Sequence, residues 1–169
     1  IGLLIKLSSK GPVLFKQKRS GLDNKEFWCY KFRSMNQNKD SDSKQAIKGD
    51  DRITFIGFFL RKHSIDEFPQ FFNVFKGDMS IVGPRPHMLK HTEQYSELIK
   101  KYMVRQLVKP GITGAAQVRG YRGETKEIEQ MEGRVKWDVW YIENWTFFLD
   151  INIIIRTVIN FIKGDEKAY

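Results

Sequence analysis

The spacing of apolar residues along the chain changes several times, and each change marks an element. Residues 1–5 read Ile-Gly-Leu-Leu-Ile, a short apolar start closed by the Gly11-Pro12 break. Residues 13–18 and 27–33 are apolar and aromatic, alternating with charge, which predicts two strands. Between them Ser20-Gly21-Leu22-Asp23-Asn24 is turn chemistry, so the pair predicts a β-hairpin. Residues 36–51 are polar and hold no aromatic residue, as in an exposed loop. Residues 53–60 predict a short helix. Ser64-Ile65-Asp66-Glu67 then fits a capping box, with Ser64 as N-cap and Glu67 three residues on. Phe68, Phe71, Phe72 and Phe75 follow at i, i+3, i+4 and i+7, one apolar face of a helix that Gly77 ends. Pro69 is expected to bend its first turn.

Residues 80–86 must be extended, since Pro84 and Pro86 bracket Arg85. Residues 91–108 predict a helix stopped by Pro110-Gly111, and residues 111–123, with four glycines and no helical period, predict a loop. Two further helices are expected over 124–145 and 149–162, the second strongly apolar. The fold class is therefore α+β, mostly helical, with one small β-hairpin.

Composition narrows the chemistry. A chain of 169 residues suits one domain with a real core, and thirteen Phe, six Tyr and four Trp are too many for a disordered chain. Twenty-nine Lys and Arg against twenty Asp and Glu give a net charge of +9, which calls for an anionic partner. The single cysteine, Cys29, excludes an internal disulfide and a Cys-based zinc site, and reads as a buried small hydrophobe. No run of about eighteen apolar residues occurs, so no segment of this sequence spans a bilayer alone.

Asp66 and Glu67 form the most informative pair. An ionised Asp can attack phosphorus, and an adjacent Glu can hold a hard cation such as Mg²⁺. Taken alone, two acids at a helix start read first as ordinary helix-start residues favoured by the dipole. Arg85, stiffened by its prolines, suits bidentate phosphate binding, and a solvated surface arginine is the other reading. Lys31 and Arg33 alternate with Tyr30 and Phe32, giving a strand one basic and one aromatic face, and Arg61 and Lys62 lie just before Asp66. His63 stands near Asp66 but reads better as a surface histidine. Asp138 and Asp150 flank a block containing Trp137, Trp140, Tyr141, Trp145, Phe147 and Phe148. That density fits a membrane-interface belt or an ordinary core helix. The glycine-rich stretch 111–120 can bring backbone N–H groups to a phosphate, although it lacks the Gly-Lys-Ser/Thr ending of a P-loop.

These pieces occur in a characteristic order. Lys31-Phe32-Arg33-Ser34-Met35 precedes Ser64-Ile65-Asp66-Glu67-Phe68-Pro69-Gln70; Gly77-Asp78-Met79-Ser80-Ile81-Val82-Gly83-Pro84-Arg85-Pro86 and Lys109-Pro110-Gly111-Ile112-Thr113-Gly114 follow. Asp138-Val139-Trp140-Tyr141 comes last. The order closely resembles that of the bacterial sugar transferase family, the monotopic polyprenyl-phosphate phosphoglycosyl transferases. The resemblance implies transfer of a sugar-1-phosphate from a UDP-sugar to undecaprenyl phosphate with release of UMP. This would be the first membrane step of surface glycan assembly. It implies that Asp66 is the nucleophile, that Glu67 holds Mg²⁺ and that Arg85 binds phosphate. Lys31, Arg61, Asp138 and Asp150 match positions tied to activity and count as candidate substrate-binding residues. It also implies a membrane-associated catalytic domain over residues 11–169, with interfacial amphipathic helices. Residues 1–10 would be the remnant of an N-terminal membrane-inserted segment, monotopic at the cytoplasmic face of the bacterial inner membrane, in contact with its lipids.

Two other classes remain in view. The charge and the aromatic, basic strand suit a nucleic-acid-binding module, yet the apolar stretch 149–162 and the lack of a binding motif argue against one, so no nucleic acid is expected. A non-catalytic membrane-surface scaffold would have no need of Asp66, Glu67 and Arg85 together. The sugar and the oligomeric state cannot be read from the residues.

Overall fold

The computed structural model describes residues 1–37, 46, 47, 49–123, 125 and 127–163. The loop expected over 36–51 and the helix start expected at 124 fall partly outside these residues. The hairpin forms as its pattern predicts. Strand β1 (Leu14–Ser20) pairs antiparallel with β2 (Glu26–Phe32), Gln17 opposite Cys29. Asp23 and Asn24, both at positive φ, turn the chain, which these two side chains tolerate better than most. Cys29 is buried, as expected. Ahead of the hairpin lies a short helix α1 (Gly2–Ser8).

Helix α2 (Phe55–Lys62) opens on Thr54, whose hydroxyl accepts from the Gly57 N–H. Helix α3 (Gln70–Lys76) ends at Gly77, in the left-handed conformation a C-cap glycine takes without strain. Two expectations fail between them. Ser64 makes no cap; it stands at φ 52, and residues Ile65–Glu67 form a single 3₁₀ turn, so α3 starts at Gln70, after the acids. Pro69 therefore precedes the helix, where its missing N–H costs nothing, and bends no turn.

The segment 80–86 opens with strand β3 (Ser80–Val82), which pairs parallel with β4 (Gly111–Thr113). The loop expected over 111–123 thus holds a strand and a short helix, α5 (Ala115–Val118). Its glycines serve close approach: a Cβ on Gly111 would overlap the backbone of Gly83. The helix expected over 91–108 is two pieces, α4 (Leu89–Leu98) and a 3₁₀ segment Tyr102–Leu107, separated by Lys101 at φ 67. Helices α6 (Ile128–Glu143) and α7 (Phe147–Lys163) follow near their predicted limits.

One core cluster joins Ile99 and Tyr102 to Met131, Val135 and Val139 of α6; a second joins Val82, Ala115, Tyr141 and Ile153. Much of the apolar surface stays outside both. The phenylalanine face of α3 turns outward, with Phe75 92% exposed, as do Phe55 of α2 at 93% and Phe148 of α7 at 82%. Leu3 and Leu7 of α1 and Ile155 and Ile162 of α7 are exposed as well. No described helix is long and apolar enough to cross a membrane.

Asn73 pins α3 to the hairpin. Fully buried, it accepts from the Tyr30 N–H at 3.0 Å and donates to the Trp28 carbonyl at 2.7 Å. Asn73→Ala strands both backbone groups and is expected to lower unfolding free energy by about 3 kcal/mol, read by urea denaturation.

Candidate active site

The 3₁₀ turn puts two adjacent carboxylates under the hairpin, each only 6% exposed. Ser64 at φ 52 takes a conformation that most side chains avoid; its N–H donates to the Arg61 carbonyl and its own carbonyl accepts from the Glu67 N–H. Three cations from three segments converge on Glu67. Lys31 of β2 donates to Oε1 at 2.7 Å. Arg85 forks onto the carboxylate, Nη2 to Oε1 at 2.5 Å and Nη1 to Oε2 at 3.2 Å. Arg122, in the segment after α5, approaches Oε2 at 3.5 Å. Arg85 also donates to Gln117 Oε1 at 3.0 Å, and Gln117 is fixed in turn by its bond to the Ile112 carbonyl.

The two acids are driven in opposite directions. Burial pushes Glu67 up, but Arg85, Lys31 and Arg122 outweigh it and hold Glu67 well below the usual glutamate value. Burial raises Asp66, with Lys31 opposing and the Glu67 charge adding, and the net effect is upward. Glu67 is thus a fixed anion committed to its cations. Asp66 is a carboxylate its surroundings stabilise less well, which favours it as a nucleophile. Arg85, despite burial, is held more firmly protonated by Glu67.

The other predicted residues lie as follows. Arg61 donates to Ser34 Oγ at 3.5 Å and is close enough to lower the Asp66 pKa. Asp138 does not reach the cluster. It is buried in a pair with Arg105 Nε at 2.7 Å, and Arg105 in turn donates to the Arg85 carbonyl at 2.7 Å, so Asp138 stands behind Arg85. Asp150 accepts from Tyr141 Oη at 2.8 Å and Trp145 Nε1 at 3.1 Å, at the corner between α6 and α7. Arg33 is withdrawn from the basic face of the strand. It is buried, and it binds the carbonyls of Ile5, Ser9 and Lys10, closing the C-terminal end of α1. His63 packs against Phe59 and Phe161. The stretch 111–120 contributes a side chain, Gln117, to Arg85. Gln117, Arg122 and Arg105 were not singled out by the sequence pattern; for Gln117 and Arg122 the signal is a cluster of Arg and Gln among the glycines of residues 111–123, whereas Arg105 lies before Pro110 and carries no such signal.

Among the described residues no group of three or more His, Cys, Asp or Glu could hold a metal ion. Asp66 and Glu67 are a two-carboxylate donor set. Because Glu67 already faces Lys31, Arg85 and Arg122, the pair fits Mg²⁺ only as an ion that arrives with substrate phosphates and displaces part of that cation contact, not as an ion caged by protein alone.

The chain matches the sequence profile described as bacterial sugar transferase over residues 1–164. It is 51% identical over 171 residues to the UDP-glucose:undecaprenyl-phosphate glucose-1-phosphate transferase of Xanthomonas campestris pv. campestris, covering 100% of this chain and 35% of that protein. To the protein of that name in Escherichia coli (strain K12) it is 54% identical over 159 residues, covering 94% and 34%. To the UDP-N-acetylgalactosamine-undecaprenyl-phosphate N-acetylgalactosaminephosphotransferase of Aeromonas hydrophila it is 44% identical over 163 residues, covering 96% and 38%. The chain therefore spans about a third of the length of these relatives.

Glu67→Gln leaves three cations facing one another and is expected to cost about 3–5 kcal/mol of stability. Because the folded pKa of Glu67 lies below the unfolded value of 4.5, its contribution is complete above that value and fades as pH falls through the folded pKa. Urea unfolding between neutral and acid pH therefore checks the assignment: the acid-side loss of stability is shallower in Glu67→Gln than in the wild type.

Proposed function

This chain belongs to the bacterial sugar transferase family, and on that premise we propose that it transfers a sugar-1-phosphate from a UDP-sugar to undecaprenyl phosphate. The observation that carries the reading is the division of labour between neighbours: Glu67 bound to Lys31, Arg85 and Arg122, and Asp66 left as the less stabilised acid.

In the first step an Asp66 carboxylate oxygen attacks the phosphorus that carries the sugar. The bond from that phosphorus to the oxygen bridging to UMP breaks, and UMP leaves with its electron pair. Lys31, Arg85 and Arg122 offset the charge that collects on the leaving phosphate and the equatorial oxygens. In the second step a phosphate oxygen of undecaprenyl phosphate attacks the same phosphorus, the acyl-phosphate bond breaks and Asp66 is restored. The product is an undecaprenyl diphosphate sugar. Glu67, with Asp66, would hold Mg²⁺ on the substrate phosphates. When bound, the ion neutralises diphosphate charge and orients the leaving group. Relatives named for UDP-glucose make it the first donor to test.

The lipid acceptor gives the outward apolar faces a purpose. Exposed Phe55, Phe71, Phe75, Phe147 and Phe148, with the leucines of α1, would lie in the cytoplasmic interface of the inner membrane, attached monotopically. The net charge of +9 would add attraction to anionic lipid.

UMP release tests the proposal. Protein in nanodiscs is expected to release UMP from a UDP-sugar only with Mg²⁺ and to turn over only with undecaprenyl phosphate. Asp66→Asn is expected to lose about 10³-fold or more of that rate while keeping its fold by circular dichroism. Full activity in Asp66→Asn would contradict the scheme.

A further inference from the structure

Behind the cluster, α6 carries a buried arginine that the scheme above leaves unused. Arg134 is 5% exposed. Its Nε donates to the Tyr121 carbonyl at 2.8 Å and its Nη2 to the Gly123 carbonyl at 2.8 Å. The two acceptors bracket Arg122, whose guanidinium faces Glu67. One helical residue thus grips the backbone on both sides of a site arginine. The residue before it supports the same arrangement. Gly133 sits inside α6, where glycine is less favourable than alanine, and a Cβ there would run into the Tyr121 ring. The helix surface is cut back at the point where the segment carrying Arg122 lies on it.

Arg134 belongs to a wider buried layer. Its Nη1 lies 3.3 Å from His87 Nε2, and Arg105 reaches the same ring, Nη2 at 3.3 Å from Nε2 and Nη1 at 3.0 Å from Nδ1. One turn along α6, Asp138 pairs with Arg105, which holds the Arg85 carbonyl. The His87 ring is kept neutral by burial and by Arg105 and Arg134, so it accepts from the guanidinium and adds no charge. Burial, then Arg85 and Arg105, lower Arg134 to about 10. A cation is held among cations, an unfavourable setting that an anion on Arg85 and Arg122 relieves.

We infer that Arg134 is a positioning residue for the donor diphosphate: it sets the backbone of Tyr121 and Gly123 so that Arg122 stands across Glu67 from Arg85 as a second phosphate-binding arginine. This rests on the proposed transfer reaction for its substrate, and only on the geometry for its coupling.

The test is a double-mutant cycle on the nanodisc-bound protein. Arg134→Lys keeps the charge but loses the fork that grips two carbonyls. Arg134→Lys and Arg122→Gln are each expected to raise the KM for UDP-sugar about tenfold and to leave the KM for undecaprenyl phosphate unchanged. The double variant is expected to be no worse than Arg122→Gln alone, because Arg134 acts through Arg122. Multiplicative losses, an unmoved donor KM or an equal rise in acceptor KM would each overturn the inference. Should Arg134→Lys fail to fold, Gly133→Ala displaces Tyr121 and is expected to give the same donor-specific loss; a donor KM like wild type in that variant overturns it too. Thermal unfolding with inorganic pyrophosphate separates the two layers of argument. Pyrophosphate protection that depends on Arg122 and Arg134 supports the positioning role even where no UMP is released, an outcome that would overturn the reaction alone. Protection unchanged in both variants would overturn the positioning role even in an active enzyme.

Discussion

A buried glutamate can be kept ionised only where cations surround it, and the geometry of this protein follows from meeting that condition at Glu67. Lys31 comes from the hairpin, Arg85 from the segment after β3 and Arg122 from the segment after α5. None of these pieces is near Glu67 in sequence. The carboxylate therefore acts as a fastening as well as an anion: removing it leaves three positive groups together with no partner of opposite sign but Asp66. Because Glu67 absorbs the cations, Asp66 keeps the higher proton affinity of the two. Adjacency in sequence supplies two like groups, and their surroundings make them different.

The same cations explain how a cluster so rich in charge holds its shape before substrate arrives. Backbone carbonyls, not only carboxylates, take up the arginine donors. Arg134 binds the Tyr121 and Gly123 carbonyls and Arg33 closes α1. These neutral acceptors orient guanidinium groups without cancelling their charge, which leaves positive potential available to a diphosphate. Around this polar centre the apolar surface is turned outward: α2, α3 and α7 each expose phenylalanine, and His63 joins α2 to α7 through Phe59 and Phe161. An anionic head group bound at the centre and an apolar tail beside those faces would meet both kinds of surface at once.

The hairpin, α6, α7 and the convergence of Lys31, Asp66, Glu67 and Arg85 were legible in the sequence because local pattern and motif carry them. The turn at Ser64–Glu67 was not. Its spacing matches a capping box, but Ser64 is left-handed and its side chain makes no cap bond, so the acids sit in a 3₁₀ turn ahead of α3, an outcome that local spacing does not encode. The phenylalanines of α3 were legible as a helical face, whereas the side of the molecule they would occupy was not, since the period is the same for core and lipid. Strand β4 was hidden because its partner, β3, is about thirty residues away and only three residues long. Arg105, Arg122 and Arg134 look like ordinary surface charges until the fold buries or gathers them, and Asp138 gains its meaning only through Arg105.

The central claim is that Asp66, of the two acids, forms a bond to phosphorus. Its most direct test is intact-mass spectrometry of the protein incubated with Mg²⁺ and a UDP-sugar in the absence of undecaprenyl phosphate. One added sugar-phosphate mass is expected on the wild type. Peptide mapping places it on Asp66, acceptor lipid discharges it, and Asp66→Asn does not acquire it. An adduct on another residue, or turnover with lipid and no adduct under any quench, would contradict it.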